Sequence, residues 1–154
     1  MSITIRAFQA SDLDAVIALF QGAVRQIASQ DYSPEQIDAW VAVDRAAWEK
    51  RLLESQTWVA LRHHELAGFG NIEDDGHLDM LFIHPLHQRS GVATALLKWM
   101  ELAVVKMGIP VMFTEASITA KPFFIGHGFQ LIEAQQVSVR GQSFINYRLH
   151  KVVM

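Results

Sequence analysis

The chain has 154 residues, of which 51% are hydrophobic and 19% charged, with a formal net charge of −3 and no cysteine. This length and composition are typical of one soluble globular domain, so we expect a single domain over residues 1–154. The net charge and the absence of a basic stripe give no electrostatic argument for nucleic-acid binding, and the lack of cysteine excludes disulfides, a Cys nucleophile and Cys-ligated zinc. The sequence has neither a signal-peptide core nor an apolar run of membrane-spanning length, so we expect a cytoplasmic protein with no nucleic-acid or membrane partner.

The first half of the chain is predicted to form one strand, two helices and a hairpin. Alternating apolar residues predict the strands, and apolar residues at helical spacing predict the helices. In chain order the elements are a strand at Ile3–Phe8, a helix opened by a capping box at Ser11 and Asp14, a helix from Ser33 to about Leu53, and strands at Thr57–Leu61 and Leu66–Ile72. Ser33-Pro34-Glu35-Gln36 is typical of a helix start, and the weak helix formers around Val43 predict a break in the second helix.

The second half continues with strands on either side of a long amphipathic helix. Its elements are a strand at Leu78–Ile83, a helix at Val92–Met107, a strand at Val111–Ala116, a short helix at Ala120–His127, and a hairpin of strands at Val137–Arg140 and Phe144–Leu149. Gly108 and Gly128 are typical helix stops, and Phe129 is expected to pack back onto the short helix. The pattern predicts a mixed α+β fold.

A polar loop joins the strand that ends at Ile83 to the long helix, and it reads Gln88-Arg89-Ser90-Gly91-Val92-Ala93. The free N–H groups of the first helical turn and the positive end of the helix dipole favour a phosphate-type anion. Gly91 has no Cβ and permits close approach of the anion, while Gln88 and Arg89 add possible donors. The loop therefore predicts an anion site.

The same six residues resemble the (Arg/Gln)-x-x-Gly-x-(Gly/Ala) motif of the GNAT-type acyl-CoA N-acyltransferases. The element order along the chain is similar to that superfamily throughout, and the segment from Ala120 to Phe129 resembles its Ala-x-x-(hydrophobic)-Tyr-x-x-x-Gly-Phe segment. Within the superfamily, residues 31–36 with Trp40, and residues 115–117, resemble a bacterial subgroup called YafP-like. The resemblance implies a mixed sheet of about seven strands, splayed at the strand before the motif, with about four helices.

The resemblance also implies acetyl-CoA as co-substrate. The motif loop would hold the CoA pyrophosphate, the backbone at Phe82 and Ile83 would pair with the pantetheine arm, and Ser117 would replace an Asn that bonds pantetheine in many members. Phe123 and Phe124 would wall the thioester pocket. The expected cofactor-binding set is Phe82, Ile83, Gln88, Arg89, Ser90, Gly91, Val92, Ala93, Thr94, Ser117, Phe123 and Phe124.

The candidate catalytic residues are His77, Asp79 and Glu115. Acyl transfer to an amine needs a proton acceptor, donors for the oxyanion, and a departing thiolate. Alternation along the strand places His77 and Asp79 on one face; His77 can relay a proton, and Asp79 can orient it, act through water, or anchor a cationic acceptor. Glu115 is a third choice, and a backbone N–H near Phe82 or Ile83 is the expected oxyanion donor. Many members use a Tyr as the acid where this chain has Phe124, so that acid is missing.

The acceptor is expected to lie against the two N-terminal helices and the final hairpin, with Tyr32, Gln36 and Trp40 as candidate contacts. Trp48 belongs to the same set, although aromatic residues at helical spacing also build cores. His84 and His87 have the spacing of a metal pair without an evident third ligand, so we expect no metal.

The expected function is therefore N-acetyl transfer from acetyl-CoA to a small-molecule amine, by direct attack through a tetrahedral intermediate. Two alternatives stay open: a sensor that binds acyl-CoA without chemistry, and an acetyltransferase for protein lysines or N-termini. The chain is expected to act as a monomer or homodimer.

Overall fold

The structure is a computed structural model, and it describes residues 2–154. Within that range the chain forms seven strands and five helices. In chain order they are β1 (Ile3–Ala7), α1 (Leu13–Gln26), α2 (Pro34–Val41), α3 (Arg45–Glu54), β2 (Gln56–Arg62), β3 (Glu65–Ile72), β4 (His77–Ile83), α4 (Val92–Lys106), β5 (Val111–Ser117), α5 (Lys121–Gly126), β6 (Gln130–Val139) and β7 (Gln142–Val152). None of these helices is long and apolar enough to cross a membrane.

The strands form one mixed sheet in the order β1-β2-β3-β4-β5-β7-β6. Every neighbouring pair is antiparallel except β4 and β5, which run parallel. Only two residues of β4 pair with β5, His77 with Phe113 and Leu78 with Thr114. The two central strands therefore separate beyond Leu78, and the predicted seven-stranded sheet with a splay at β4 is confirmed.

The predicted second helix is two helices. Ser33 caps α2 as predicted: its hydroxyl accepts from the Gln36 N–H at 3.2 Å, and the Gln36 side chain accepts from the Ser33 N–H at 2.8 Å. Extended backbone at Ala42 ends α2, and the Asp44 carboxylate then caps α3 by accepting from the Ala47 N–H at 3.2 Å. The break near Val43 is confirmed, which raises the helix number from about four to five.

The start of α1 differs from the prediction. A 3-10 turn at Ala10–Asp12 precedes the helix, and the reciprocal pair is Gln9 with Asp12, not Ser11 with Asp14. The Asp12 carboxylate accepts from the Gln9 N–H at 2.8 Å and also binds Arg6 on β1. The ion pair with Arg6 moves the cap back by two residues, and the sequence motif alone does not contain that tertiary contact.

Strand β6 is longer than predicted, Gln130–Val139 in place of Val137–Arg140. Its first residues are exposed on both faces because β6 is the outer strand of the sheet. An edge strand with two solvated faces has no strict apolar alternation, so periodicity does not detect it.

Side chains of the two sheet faces build two apolar layers. On one face, α1, α2 and α3 pack on Phe69, Met80 and Phe144. On the other, α4 and α5 pack on strand residues that include Leu78 and Leu149. Because β4 and β5 separate between these layers, residues from both faces of the sheet border the gap between the two strands.

Candidate active site

The fork between β4 and β5 is fixed by a bulge and one hydrogen bond. In the β3–β4 ladder Asn71 pairs with Met80 and Ile72 with Leu78, so Asp79 is an extra residue on β4. At the same level the Thr114 hydroxyl on β5 donates to the Leu78 carbonyl at 2.8 Å. A bulge increases twist and bends its strand. The strands consequently diverge immediately after their last pair, between Asp79 and Glu115.

The pairing of β4 with β3 decides which N–H groups face the open edge of β4. The His84 N–H donates to the Ala67 carbonyl on β3 at 2.8 Å. Antiparallel pairing alternates, so Phe82 also points its N–H toward β3, while Leu81 and Ile83 point theirs toward the splay. The ladder excludes the Phe82 N–H as an oxyanion donor and leaves that of Ile83, the other predicted donor. The Leu81 N–H, which was not predicted from the sequence, is a further candidate.

The loop before α4 presents free backbone donors, as its sequence predicts. Gly91 lies in the left-handed region with φ of +86°, and a Cβ built there meets no atom within 4 Å. Within residues 2–154, the N–H groups of Arg89, Ser90 and Gly91 donate to no protein acceptor. The first turn of α4 adds the unpaired N–H groups of a helix start. This cradle of donors opens on free space.

The loop side chains mostly brace the loop itself. The Gln88 amide donates to the Ile83 carbonyl at 2.9 Å, and the Ser90 hydroxyl donates to the His87 carbonyl. Val92 is buried, whereas Arg89 is exposed. The loop thus offers an anion its backbone N–H groups and the Arg89 guanidinium.

A cleft of about 210 Å³, which we call the splay cleft, leads from the loop into the fork. Its walls come from α1, the open edge of β4 and the β5–α5 segment. Lining residues include Leu81, Phe82, Ile83, Gln88, Ala93, Ser117, Phe123 and Phe124. Seven of the twelve expected cofactor-binding positions line this cleft.

Three details of the splay cleft concern predicted residues. The Ser117 hydroxyl accepts from the Ala120 N–H at 3.1 Å and keeps its proton free to donate. Phe124 is buried between Phe123 and Phe129, with ring centroids 5.4 and 5.1 Å away. The Thr94 hydroxyl already has a partner, since it lies 3.0 Å from Nε2 of His127, the residue just after α5.

A second cavity, of about 370 Å³, lies on the other side of the fork, and we call it the aromatic cavity. Helices α1–α3 and the β6–β7 hairpin enclose it. Its rings are Phe20, Tyr32, Trp40, Trp48, Phe82 and Phe144, and its polar and charged groups include Arg51, Asp79, Glu115, Ser117, Arg140 and Asn146. The two cavities share Trp40, Phe82 and Ser117, so they meet at the fork.

Asp79 is held as an anion. Arg51 on α3 binds both of its carboxylate oxygens, one at 2.6 Å, and the Asn71 amide donates to it at 3.1 Å. Burial of the side chain, which is 8% exposed, works to raise the pKa of Asp79, but the Arg51 and Asn71 hydrogen bonds outweigh it and the pKa is lowered. Asp79 does not orient His77, as one interpretation of the sequence held, because its oxygens bind Arg51 and Asn71.

His77 bridges two other carboxylates. Its Nδ1 bonds Glu73 in the loop before β4, and its Nε2 bonds Glu115 on β5 at 2.7 Å. The ring stacks on Phe113, with centroids 4.9 Å apart. Burial works to lower the pKa of His77, but Glu73, Glu115 and the charge of Asp79 outweigh it, so the pKa is raised. His77 lines neither cavity, whereas Glu115 lines the aromatic cavity with 36% of its side chain exposed.

Metal-binding geometry within residues 2–154 is confined to Glu73, His77 and Asp79, whose candidate ligand atoms lie within 4.8 Å of one another. Protein partners already occupy these atoms, including the Arg51 cation on Asp79. The His84 and His87 pair does not form such a group, since His84 Nδ1 accepts from the Leu86 N–H at 3.1 Å.

The predicted acceptor residues divide into two kinds. Tyr32 and Trp40 line the aromatic cavity, and so does Trp48. Gln36 lines neither cavity, because its amide bonds Ser33 and donates to the Ser143 carbonyl at 2.7 Å. The Tyr32 hydroxyl donates to the Ile145 carbonyl at 3.0 Å and accepts from the Ile118 N–H at 2.9 Å. Burial raises the pKa of Tyr32.

Four polar residues of this region were not predicted from the sequence: Arg51, Glu73, Arg140 and Asn146. Arg51 and Glu73 lie in segments typical of a solvated helix face and an acidic turn, and only the tertiary fold brings them to Asp79 and His77. Arg140 is predicted at the end of a strand and Asn146 within one, with no motif around either. The one usable signal is the polar residue at position 146 amid an apolar strand pattern.

The family of the chain follows from a match between residues 28–151 and the family model described as acetyltransferase (GNAT) domain. The chain belongs to the GNAT acetyltransferase family. The resemblance stated from the motif loop is thereby confirmed, and so is the expectation of an acyl-CoA-dependent N-acyltransferase.

Relatives of this GNAT acetyltransferase agree with that assignment. The Escherichia coli (strain K12) protein described as uncharacterized N-acetyltransferase YafP is 42% identical over 147 residues, covering 95% of this chain and 93% of that protein. A crystal structure of a GCN5-related N-acetyltransferase from Rhodopseudomonas palustris has a TM-score of 0.96 at 28% identity, covering 99% of this chain and 96% of the other. PaiA N-acetyltransferase from Thermoplasma acidophilum, solved in complex with coenzyme A, shares the fold with a TM-score of 0.83 at 18% identity, over 99% of each chain.

Proposed function

We propose that this GNAT acetyltransferase moves the acetyl group of acetyl-CoA onto the amine of a small molecule. The observation that carries the proposal is the meeting of the splay cleft and the aromatic cavity at Trp40, Phe82 and Ser117. Direct transfer requires both reactants to reach one point, with the reacting atoms about 3–3.5 Å apart. One opening for the donor and another for the acceptor, joined at a fork in the sheet, meets that requirement.

The donor side is proposed as the splay cleft. The free N–H groups of residues 89–91 and the first turn of α4 suit the pyrophosphate, since they present donors and a positive dipole end to an anion. The open edge of β4 suits an extended pantetheine arm with two amides, which can pair with it as an added strand. The thioester then lies between Phe82 and Ser117, with Phe123 and Phe124 as its apolar wall.

Glu115 is the carboxylate best placed to take the amine proton. It lines the aromatic cavity beside the fork, and its exposed face can return the proton to water. Asp79 is less suited, because Arg51 occupies it and its pKa is lowered. His77 is less suited as a base, because both ring nitrogens are bonded to carboxylates and its pKa is raised. We assign His77 the role of a positioning residue for Glu115.

The chemistry is then a direct attack. The amine nitrogen bonds the acetyl carbon, the oxyanion accepts from the Leu81 or Ile83 N–H on the open edge of β4, and the C–S bond breaks as the intermediate collapses. No side chain gives up a proton to the departing sulfur in this scheme; the Ser117 hydroxyl can only donate a hydrogen bond to it, because an alcohol is a weaker acid than a thiol. Phe124 has no proton to give, and the Tyr32 hydroxyl already donates to Ile145, so solvent protonates the thiolate.

The test is thiol release from acetyl-CoA with a panel of small amines and short peptides, with mass spectrometry of the products. The proposal expects release only when an amine is present, with one N-acetylated product for each CoA. Binding of acetyl-CoA without release across the whole panel contradicts it.

A second candidate function is a sensor that binds acyl-CoA without chemistry, and Phe124 is the observation that favours it. A thermal-shift measurement separates the two when it is paired with the release assay. Ligand at 100 times its dissociation constant adds about 2.7 kcal/mol to the free energy of unfolding. A sensor shows this stabilisation with acetyl-CoA and no turnover. In the release assay, a protein acetyltransferase gives acetylated peptides but no acetylated small amines.

A further inference from the structure

One of the charged side chains that line the aromatic cavity has no ion-pair partner. Four charged side chains line it, and three have opposite partners: Arg51 binds Asp79, and Glu115 binds His77. Arg140 is the fourth, and within residues 2–154 it forms no ion pair. Its guanidinium donates to the Ala39 carbonyl at 2.8 Å, which leaves most of its five donors free. The cavity therefore has one positive charge that lacks an anion.

The turn that holds Arg140 does not explain the choice of residue. Val139 pairs with Gln142, so Arg140 and Gly141 form a two-residue hairpin loop, and both have positive φ, +47° and +81°. Such loops favour Asn, Asp or Gly at the first position, because an L side chain is strained there. Arg140 is exposed and its side chain lines the cavity, so its guanidinium is free to bind a ligand there.

The position of Arg140 sets the distance that an acceptor must span between its amine and its anionic group. Ser117, at the fork, is paired with Asn146 on β7, and Gln142 lies four residues nearer the hairpin tip. At about 3.3 Å per residue the tip is about 13 Å from the fork, and the Arg140 side chain shortens that gap to on the order of 10 Å. The rings of the aromatic cavity occupy the space between.

The fork end of the aromatic cavity has an amide without a partner. Asn146 Oδ1 is buried and accepts no hydrogen bond, and no other side-chain bond of Asn146 is present within residues 2–154. A buried polar atom without a partner costs free energy until a ligand supplies one. Asn146 lies beside Ser117, so an amine N–H placed at the fork is a suitable donor for it.

We propose that the acceptor is an amine that also carries a carboxylate, with an apolar or aromatic spacer between the two groups. The inference rests on the proposed function, and it names the substrate class of the same site. The carboxylate pairs with Arg140, the spacer packs among the rings, and the amine lies at the fork near Asn146 and Glu115. In the transfer the N–C bond forms and the thioester C–S bond breaks, Glu115 takes the amine proton, and solvent protonates the CoA thiolate.

The experiment compares ω-amino carboxylic acids of increasing length, with aliphatic and phenyl spacers, against their methyl esters. Each is assayed by thiol release with the wild-type protein and with Arg140→Gln and Arg140→Lys. Arg148→Gln is the control, because Arg148 lies on the same hairpin, pairs with Glu133 and lines neither cavity. Because hydrogen bonds from Arg140 to a carboxylate join two charged groups and those to an ester do not, we expect the acid with the spacer of matching length to exceed its methyl ester in kcat/KM by about 10- to 100-fold.

The proposal expects Arg140→Gln to raise KM for the acid to the ester value, so that the preference for acid over ester is lost. Arg140→Lys should keep some of the preference and Arg148→Gln all of it. A purely structural role for Arg140 at Ala39 lowers acid and ester turnover alike and overturns the inference. Equal use of acids and esters by the wild type also overturns it, and leaves the proposed function intact. Failure to acetylate any amine overturns both.

Discussion

At the scale of single residues, three carboxylates surround the fork and only Glu115 combines an open face with a place in the cavity wall. Asp79 is neutralised by Arg51, and Glu73 bonds His77 outside the cavity. Their different partners place the three acidic side chains in different environments within a small region. The division rests on geometry that periodicity along β4 cannot provide, since alternation places His77 and Asp79 alike.

Glu115→Gln tests the role of the proton acceptor. The amide keeps the size of the side chain but cannot take the amine proton, so we expect kcat to fall by about 10² while acetyl-CoA binding is unchanged. Steady-state kinetics over a pH range and a thermal shift with acetyl-CoA measure the two effects. Glu133→Gln is the control, because Glu133 is an exposed carboxylate on β6 that pairs with Arg148. Full activity in Glu115→Gln contradicts the assignment.

His77 predicts a pH dependence of stability with a definite sign. Its pKa is raised in the folded state, so its contribution to the free energy of unfolding is complete below the unfolded pKa, about 6.5, and is lost as pH rises through the folded pKa. The difference in unfolding free energy between wild type and His77→Gln should therefore shrink as pH rises above about 6.5. Urea titrations at several pH values measure it, with His63→Asn in an exposed turn as control. A difference that grows with pH is incompatible with a raised pKa.

At the scale of elements, Gly91 links the backbone of the loop to the start of α4. Gly91→Ala places a side chain at φ of +86° and puts a Cβ in front of the free donors. We expect a loss of about 1 kcal/mol in stability and CoA affinity reduced by about tenfold or more. Gly108→Ala is a matched control at the other end of α4, with φ of +75° and equally open space. Calorimetric titration should show weaker CoA binding in Gly91→Ala and unchanged binding in Gly108→Ala. Equal CoA affinity in the two variants would mean that the pyrophosphate binds elsewhere.

Tyr32 joins the segment after β5 to β7 beside the fork. Its hydroxyl joins Ile118, just after β5, to Ile145 on β7, so Tyr32→Phe removes a partner of the Ile118 N–H and of the Ile145 carbonyl. We expect a loss of about 1–3 kcal/mol, which lowers Tm by several degrees. Tyr147→Phe is the control, because Tyr147 is the other tyrosine of the chain and its ring contact with Lys121 survives the change. Equal melting temperatures for the two variants contradict this role of the Tyr32 hydroxyl.

The elements show how far sequence reasoning extends. The capping box at Ser33, the break near Val43 and the strands around the fork follow from local residue chemistry, and the structure agrees with each. The predictions for the cap of α1 and the length of β6 were wrong, because one depends on an ion pair across the chain and the other on an edge with two solvated faces. The same limit applies to the site: the motif loop is local, whereas the Glu73–His77–Glu115 chain and Arg140 need the folded sheet.

At the scale of the whole molecule, the fork in the sheet gives the donor and the acceptor separate entrances. On one side of the fork the splay cleft runs from the loop before α4, between α1, the open edge of β4 and the β5–α5 segment. On the other side, α1–α3 and the β6–β7 hairpin border the aromatic cavity. The central claim is that donor and acceptor enter from these two sides and meet at Phe82 and Ser117.

A crystal structure with CoA bound tests that claim most directly. We predict the pyrophosphate on the N–H groups of residues 89–91, the pantetheine along Leu81 and Ile83, and the sulfur between Phe82 and Ser117, with the aromatic cavity left free. CoA bound within the aromatic cavity, or with its sulfur away from the fork, would contradict it.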